Sequence, residues 1–366
     1  MAELRTPNSG PRAPKGVTLI ELMVVLTIFS VVMAGLYSAY SVQMKAGVKE
    51  YKLAESEMEY QIGKMVVERD LAMAGYGIAD SYSAVTPSFV PRVVDATDGS
   101  PDTLTLVGTA LGRESRAAQA WSYTMIESAA TTTDYYSGQD GRENLKTGDR
   151  IIYMDPNTKI LLGFTSVTND VTGKSWLFTY PPSGMQNIRP NPLDKGVLVY
   201  GIQTAPSGTA GHADYPYYTV EYSLGGTVPS YCAPGTQNLL RSENKQDPPT
   251  DNGQPLFNCV LDFEVAFGID NSEDGLIDCW DNGGALVAGY TTEALRTRLK
   301  QIKAYILVQQ GNVDTNFTFQ DTLRVGDASL TACNGGGVGK LRTFTSAQKN
   351  YRWKVISFSV TPRNIR

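Results

Sequence analysis

KGVTLIELMVVLTIFSVVMAGLYSAY, residues 15–40, decides the architecture. From Val17 to Tyr40 these are 24 residues with a single charge, Glu21. As a helix rising ~1.5 Å per residue they reach about 36 Å, more than a hydrocarbon core of ~30 Å. The stretch is long enough to span a bilayer once. A polar, basic opening, MAELRTPNSGPRAPKG (residues 1–16), carries Arg5, Arg12 and Lys15, and Lys45, Lys49 and Lys52 follow the apolar run. An ordinary secretory signal places small residues for cleavage after its apolar stretch. Here the run ends Leu36-Tyr-Ser-Ala-Tyr40 and continues into a charged helical pattern, so it is expected to stay in the protein.

That pattern is KAGVKEYKLAESEMEYQIGKMVVERDLAMAGYGI, residues 45–78, without a proline. Apolar residues recur at Val48, Tyr51, Met58, Ile62, Met65, Val66 and Met73. The spacing predicts an amphipathic helix, residues 41–77, packing this stripe on a domain. One helix from Val17 to about Ala74 is expected, stopped by Gly75 and Gly77. Glu55 and Arg69 interrupt the heptads a soluble coiled-coil stalk would need.

Beyond Ile78 the chain turns to short runs of strand formers bounded by Gly, Pro, Asn and Asp. Thr103–Val107, Arg150–Met154, Ile160–Phe164, Trp176–Tyr180, Gly196–Ile202, Tyr217–Leu224, Lys303–Gln309 and Trp353–Val360 predict antiparallel strands. Pro87–Asp102, Pro181–Lys195, Pro206–Pro216 and Ser242–Gly253 read as loops. The fold class is therefore α+β, a long amino-terminal helix on a large antiparallel body, residues 78–366. With 366 residues, 42% hydrophobic and 19% charged, the chain can bury a sizeable core. A net charge of −5 without a Lys/Arg run removes the footprint that nucleic-acid binding requires.

Lys15-Gly16 before the apolar run, with Val17-Thr-Leu-Ile-Glu21 after it, resembles the type IV prepilin motif. The resemblance implies a leader, residues 1–16, cut by a prepilin peptidase between Gly16 and Val17, N-methylation of Val17, and retention of residues 17–40 as a single-pass anchor. Val17 stands where the family usually has Phe. Loss of the leader, net +2, would take the charge from −5 to −7. Glu21 is the informative residue, since a carboxylate in an apolar span costs about 2.5–3.5 kcal/mol and is normally there for a partner. The new ammonium of a staggered neighbour could pair with it and set filament register; the alternative is a side chain that snorkels to the interface. Glu68-Arg-Asp-Leu-Ala-Met-Ala-Gly-Tyr-Gly77 also resembles the end of the helix in PilW-type minor pilins. The implied partners are major and minor pilins, the peptidase, the inner-membrane assembly platform and a tip adhesin. The implied location is the inner membrane with a periplasmic body, then the pilus. A pseudopilin of type II secretion, GspJ-like, and a membrane-anchored calcium-dependent adhesin outside any filament are the competing readings.

Asp262–Ile269 alternates, with Phe263, Val265, Phe267 and Ile269 on one face and Asp262, Glu264, Ala266 and Gly268 on the other, which predicts a half-buried strand. It runs into Asp270-Asn-Ser-Glu-Asp-Gly-Leu-Ile-Asp-Cys-Trp-Asp281, which resembles a calcium loop. Asp270, Ser272, Asp274, Asp278 and Asp281 offer oxygens at its first, third, fifth, ninth and twelfth places, Leu276 a carbonyl at the seventh, and Gly275 the sharp turn. The competing reading is an acidic hairpin in which these residues serve only the turn. PilW-like proteins carry a similar acidic stretch after such a strand and end on further strands, here Lys303–Gln309 and Trp353–Asn364. The resemblance covers residues 1–78 and, more loosely, 257–366, and leaves 79–256 unassigned.

The four cysteines, Cys232, Cys259, Cys279 and Cys333, form no C-x-x-C pair, which argues against zinc. In an exported body they predict two disulfides of open connectivity, with Cys232–Cys259 and Cys279–Cys333 favoured because each closes a moderate loop. Catalysis is not expected. The one histidine, His212, lies in a polar loop, and Asn334-Gly-Gly-Gly-Val-Gly-Lys340-Leu341 lacks the first Gly and the final Ser/Thr of a phosphate loop.

Overall fold

The computed structural model describes residues 16–80, 94–97, 101–111, 121–125, 132–136, 149–166, 169–171, 175–179, 196–203, 218–244 and 253–364. The expected loops 181–195 and 206–216, His212, and residues 1–15 of the expected leader lie outside them. Two compact units divide the chain, Met1–Glu55 and Ser56–Arg366.

Helix α1 runs Leu19–Met73. It ends where the glycines allow, with Gly75 at φ 81° and Gly77 at φ 70°, a backbone that L side chains adopt at a cost. Chain order then gives β1 (Val94–Thr97), β2 (Thr103–Gly108), β3 (Trp121–Met125), β4 (Thr132–Tyr136), β5 (Arg150–Met154), β6 (Leu161–Ser166), β7 (Asn169–Val171) and β8 (Ser175–Thr179). There follow β9 (Gly196–Gln203), β10 (Tyr218–Gly225), β11 (Gln237–Asn244), β12 (Gln254–Ile269), β13 (Cys279–Asn282), helix α2 (Thr292–Arg298), β14 (Leu299–Gln310), β15 (Thr322–Val325), β16 (Lys340–Thr343) and β17 (Arg352–Val360). The segment 87–102, expected to be a loop, contains β1, which pairs with β2.

The main sheet has the order β1-β2-β10-β11-β12-β14-β17, with β13 added to β12. Its strand pairs are antiparallel, as expected. Smaller sheets β3-β9-β5-β6 and β4-β8-β7 and the hairpin β15-β16 complete the body.

The carboxy-terminal part of α1 belongs to the body. Its inner face is Tyr60, Val67, Leu71 and Ala74, all buried in one cluster with Leu104, Tyr222, Phe263 and Ile306. The stripe expected from the sequence is inner only in part: Met73 packs against this cluster and Val66 is half-buried, whereas Met58, Ile62 and Met65 are 63%, 66% and 69% exposed. The cause is close approach. Gly63 lies on the inner face, where an added Cβ would stand 2.6 Å from the Phe257 ring, and the Tyr60 hydroxyl donates to the Gln309 carbonyl at 2.6 Å. A glycine beside an anchored tyrosine lets the helix come down on the sheet on that side, and the larger side chains are left outside.

Strand β12 also differs from expectation. It is buried on both faces over Cys259–Ile269, with Asp262 and Glu264 only 0% and 1% exposed. A second cluster, Ala266, Trp280, Tyr305, Leu307, Val325, Val338, Phe344 and Trp353, covers the face that the alternation assigned to solvent. The β15–β16 hairpin brings Arg342 Nε to 3.1 Å from Asp262 Oδ2 and Lys340 Nζ to 3.6 Å from Glu264 Oε1. Its glycine turn is tight, since a Cβ on Gly339 would meet the Val325 carbonyl oxygen at 1.9 Å. Disulfides join Cys232 to Cys259 and Cys279 to Cys333.

Candidate assembly surface and processing junction

Gly16 and Val17 precede the helix in non-helical conformation, with Val17 exposed. Thr18 Oγ1 accepts from the Glu21 amide at 3.3 Å, while the Thr18 amide donates to Glu21 Oε2 at 3.4 Å. This reciprocal pair is a capping box, and it satisfies helix-end donors that lipid could not. The Thr-x-x-Glu spacing that marks such a box stands in the sequence at Thr18 and Glu21. These bonds are long and occupy one carboxylate oxygen. Among the described residues no cation pairs with Glu21.

Leu19–Val48 is a stretch long and apolar enough to cross a membrane, with none of its most apolar window buried. Its hydroxyls are returned to the helix backbone: Thr27 Oγ1 donates to the Met23 carbonyl at 2.8 Å, Ser30 Oγ to Leu26 at 2.7 Å and Ser41 Oγ to Ser38 at 2.8 Å. Internal satisfaction of this kind is what an apolar solvent demands of polar side chains.

The end of α1 within the body is held by a buried ionic knot that the sequence reading did not find. Arg241 Nε lies 2.6 Å from Asp70 Oδ2, the Tyr222 hydroxyl donates to the same oxygen at 2.6 Å, and Arg241 Nη2 donates to the Leu111 carbonyl at 3.1 Å. Arg241 also pairs with Glu243. Burial, then the Asp70 charge, pushes the Tyr222 phenol well above its ordinary range. Asp70 stood inside the quoted Glu68–Gly77 stretch, but nothing local says that it meets residues 150 and more positions away. Lys354 Nζ adds a bond to Glu57 Oε2 at 2.7 Å, and Asn364 Nδ2 one to the Ala72 carbonyl at 3.0 Å.

The acidic loop 270–281 joins β12 to β13. Asp270 and Asp278 flank the Ser272 hydroxyl, at 3.4 and 3.3 Å. Asp270 accepts from the Gly275 amide at 2.8 Å and lies 3.1 Å from Lys300 Nζ. Burial raises the Asp270 carboxyl, yet the Gly275 amide and Lys300 outweigh it and hold the group below the usual carboxylate range. Asp278 accepts from the Asn271 and Ser272 amides at 2.7 and 2.8 Å. Asp274 accepts from Leu276 at 2.8 Å. Asp281 turns the other way: its Oδ2 caps the Leu286 and Val287 amides at 2.9 Å each. The twelfth-place donor of the expected calcium loop is thus committed elsewhere, and among the described residues no three acidic, His or Cys groups converge as a metal cage. The donor set does not make the ring of 6–8 oxygens that calcium takes.

Two family models match the chain, the prokaryotic N-terminal methylation motif over residues 11–37 and the Type IV Pilus-assembly protein W over residues 217–364. The first match covers Gly16, Val17 and Glu21, and the second runs from the start of β10 to the final strand. The chain thus carries the N-terminal methylation motif and a PilW domain, the two marks of a PilW-like type IV pilin. The PilW match begins at 217, so β10 and β11 belong to it, although the sequence reading began the resemblance at 257. Pilin families of this kind are structural proteins, not enzymes. No curated protein matches the chain. Among solved structures, a type IV-like pilin from Thermus thermophilus aligns with 10% identity and a TM-score of 0.35, over 85% of this chain and 98% of that one.

Proposed function

We propose that this PilW-like chain is a minor subunit that initiates, assembles or caps a type IV pilus, after a prepilin peptidase cuts Gly16–Val17 and frees the Val17 ammonium. One observation carries the reading: among the described residues, the apolar helix surface stands exposed. Large apolar side chains from Val17 to Met44 stand open, and in the body Met58, Ile62 and Met65 do the same. A surface of this kind exposed in water would be a liability. Lipid covers it before assembly, and the helices of neighbouring pilins cover it in a filament. The body would lie in the periplasm first and at the cell surface later, and Glu21 would meet the ammonium of the adjoining subunit.

The test is to shear and purify filaments and to read the amino terminus of this chain by mass spectrometry. A methylated chain starting at Val17 in the filament fraction is expected. A mature chain that starts beyond Tyr40, or one found only in membranes while filaments form without it, would overturn the proposal.

A further inference from the structure

A half-open cleft of about 220 Å³ lies where the turn after α1 meets the β5–β6 turn, β9, α2 and the chain end. At ~30 Å³ per water it has room for about seven waters, or one small ring with an acidic group. Tyr76 and Tyr200 form one wall, edge to face at 5.3 Å between ring centres, and Ile78, Met154 and Leu198 also line it. Three cations reach it: Lys159, Arg296 and Arg363.

Arg296 is committed. It pairs with Asp80 and donates to the Ile78 and Asn364 carbonyls at 2.6 and 3.0 Å, which fixes the wall and cancels its charge locally. Among the described residues, the side chains of Lys159 and Arg363 have no ion pair or hydrogen bond. Lys159 is held at φ 49° in the turn Asp155–Ile160, where Asp155 accepts from the Asn157 and Thr158 amides at 2.8 and 3.0 Å. Glycine or asparagine would take that backbone more easily. The Asp80 amide clamps the Lys159 carbonyl at 2.8 Å, so the lysine is fixed at the cleft. A non-glycine residue held in the left-handed region beside a cleft points to use of its side chain.

We propose that this cleft binds a small anion carried on a ring, with Lys159 and Arg363 on the acidic group and the Tyr76–Tyr200 wall against the ring. The pairing of two uncommitted cations with an apolar, aromatic wall selects for that class over a bare anion. An acidic sugar and an aromatic acid share the chemistry. The inference is independent of the assembly role, since every residue belongs to the body.

The test is a calorimetric titration of the detergent-solubilised full chain with phenyl phosphate, glucuronate and inorganic phosphate. At least one ring-bearing anion should bind, with inorganic phosphate about tenfold weaker or worse, and the preferred probe tells the aromatic source from the sugar. Arg363→Met and Lys159→Gly should each weaken binding about tenfold, the loss expected of one charge-assisted contact. Lys159→Gly suits the left-handed backbone, so its melting temperature should not fall, and lost binding in that variant assigns the ammonium to the ligand. Unchanged affinity in both variants, or inorganic phosphate as tight as the ring-bearing probes, would overturn the proposal.

Discussion

Glu264 should make the body less stable as pH rises, and Glu264→Gln should abolish that dependence. Three carboxylates, Asp102, Asp262 and Glu264, are buried beneath the β15–β16 hairpin. Lys340 Nζ stands 3.9 Å from Asp102 Oδ1 and 3.6 Å from Glu264 Oε1, and Arg342 answers Asp262. Two half-buried cations thus face three acids, and neither oxygen of Glu264 finds a hydrogen bond. Burial first, then the charges of Asp102 and Asp262, pushes the Glu264 carboxyl from 4.5 up to about 8. The folded value lies above the unfolded one, so the protonated form contributes its full stability below about pH 4.5, and this is lost as pH rises through 8. Within the window the slope is ~1.4 kcal/mol per pH unit, or roughly 4 kcal/mol between pH 5 and pH 9. Glutamine keeps the shape without the charge. Urea unfolding of the detergent-solubilised chain across this range should give a gain for the variant that grows with pH by roughly that amount. Parallel pH profiles for parent and variant would refute the reasoning, and with it the view that Glu264 is protonated at neutral pH.

Glu21→Gln preserves the capping-box geometry but removes the charge, so membrane insertion should persist while filament incorporation falls; equal amounts of parent and variant in sheared filaments would dismiss the ion-pair role. Opening the Cys279–Cys333 bridge with Cys279→Ser plus Cys333→Ser frees a loop of sequence separation 54, which should cost roughly 4 kcal/mol in the same unfolding assay. Asp70→Asn should destabilise the body by about 3–5 kcal/mol, because it removes the charge that answers buried Arg241; a loss under 1 kcal/mol would mean that Glu243 suffices. Calcium in the millimolar range should leave the melting temperature unchanged, since Asp281 caps the 286–287 amides and Lys300 already answers Asp270. A rise that Asp274→Ala removes would reinstate the cation.

The features legible in the sequence are those set by neighbours along the chain. The long apolar helix, its stop at Gly75 and Gly77 and most strands follow from local periodicity and turn chemistry, which act over a few residues. The features that escaped are set by parts of the chain brought together from a distance. Residues 58–74 carry two apolar faces at helical spacing, and Gly63 against Phe257, 194 positions away, decides which is inner. In β12 the period of two is present, but whether Asp262 and Glu264 meet water depends on Lys340 and Arg342 in a hairpin beyond β14. The acidic loop shows the same divide within twelve residues. Its turns at Asp270, Asp274 and Asp278 obey local rules, whereas Asp281 is drawn off by amides outside the motif. Spacing states which side chains can reach a point. Competition among all the unsatisfied donors nearby decides which do, and a buried amide that would otherwise lack a partner is a strong competitor for a carboxylate.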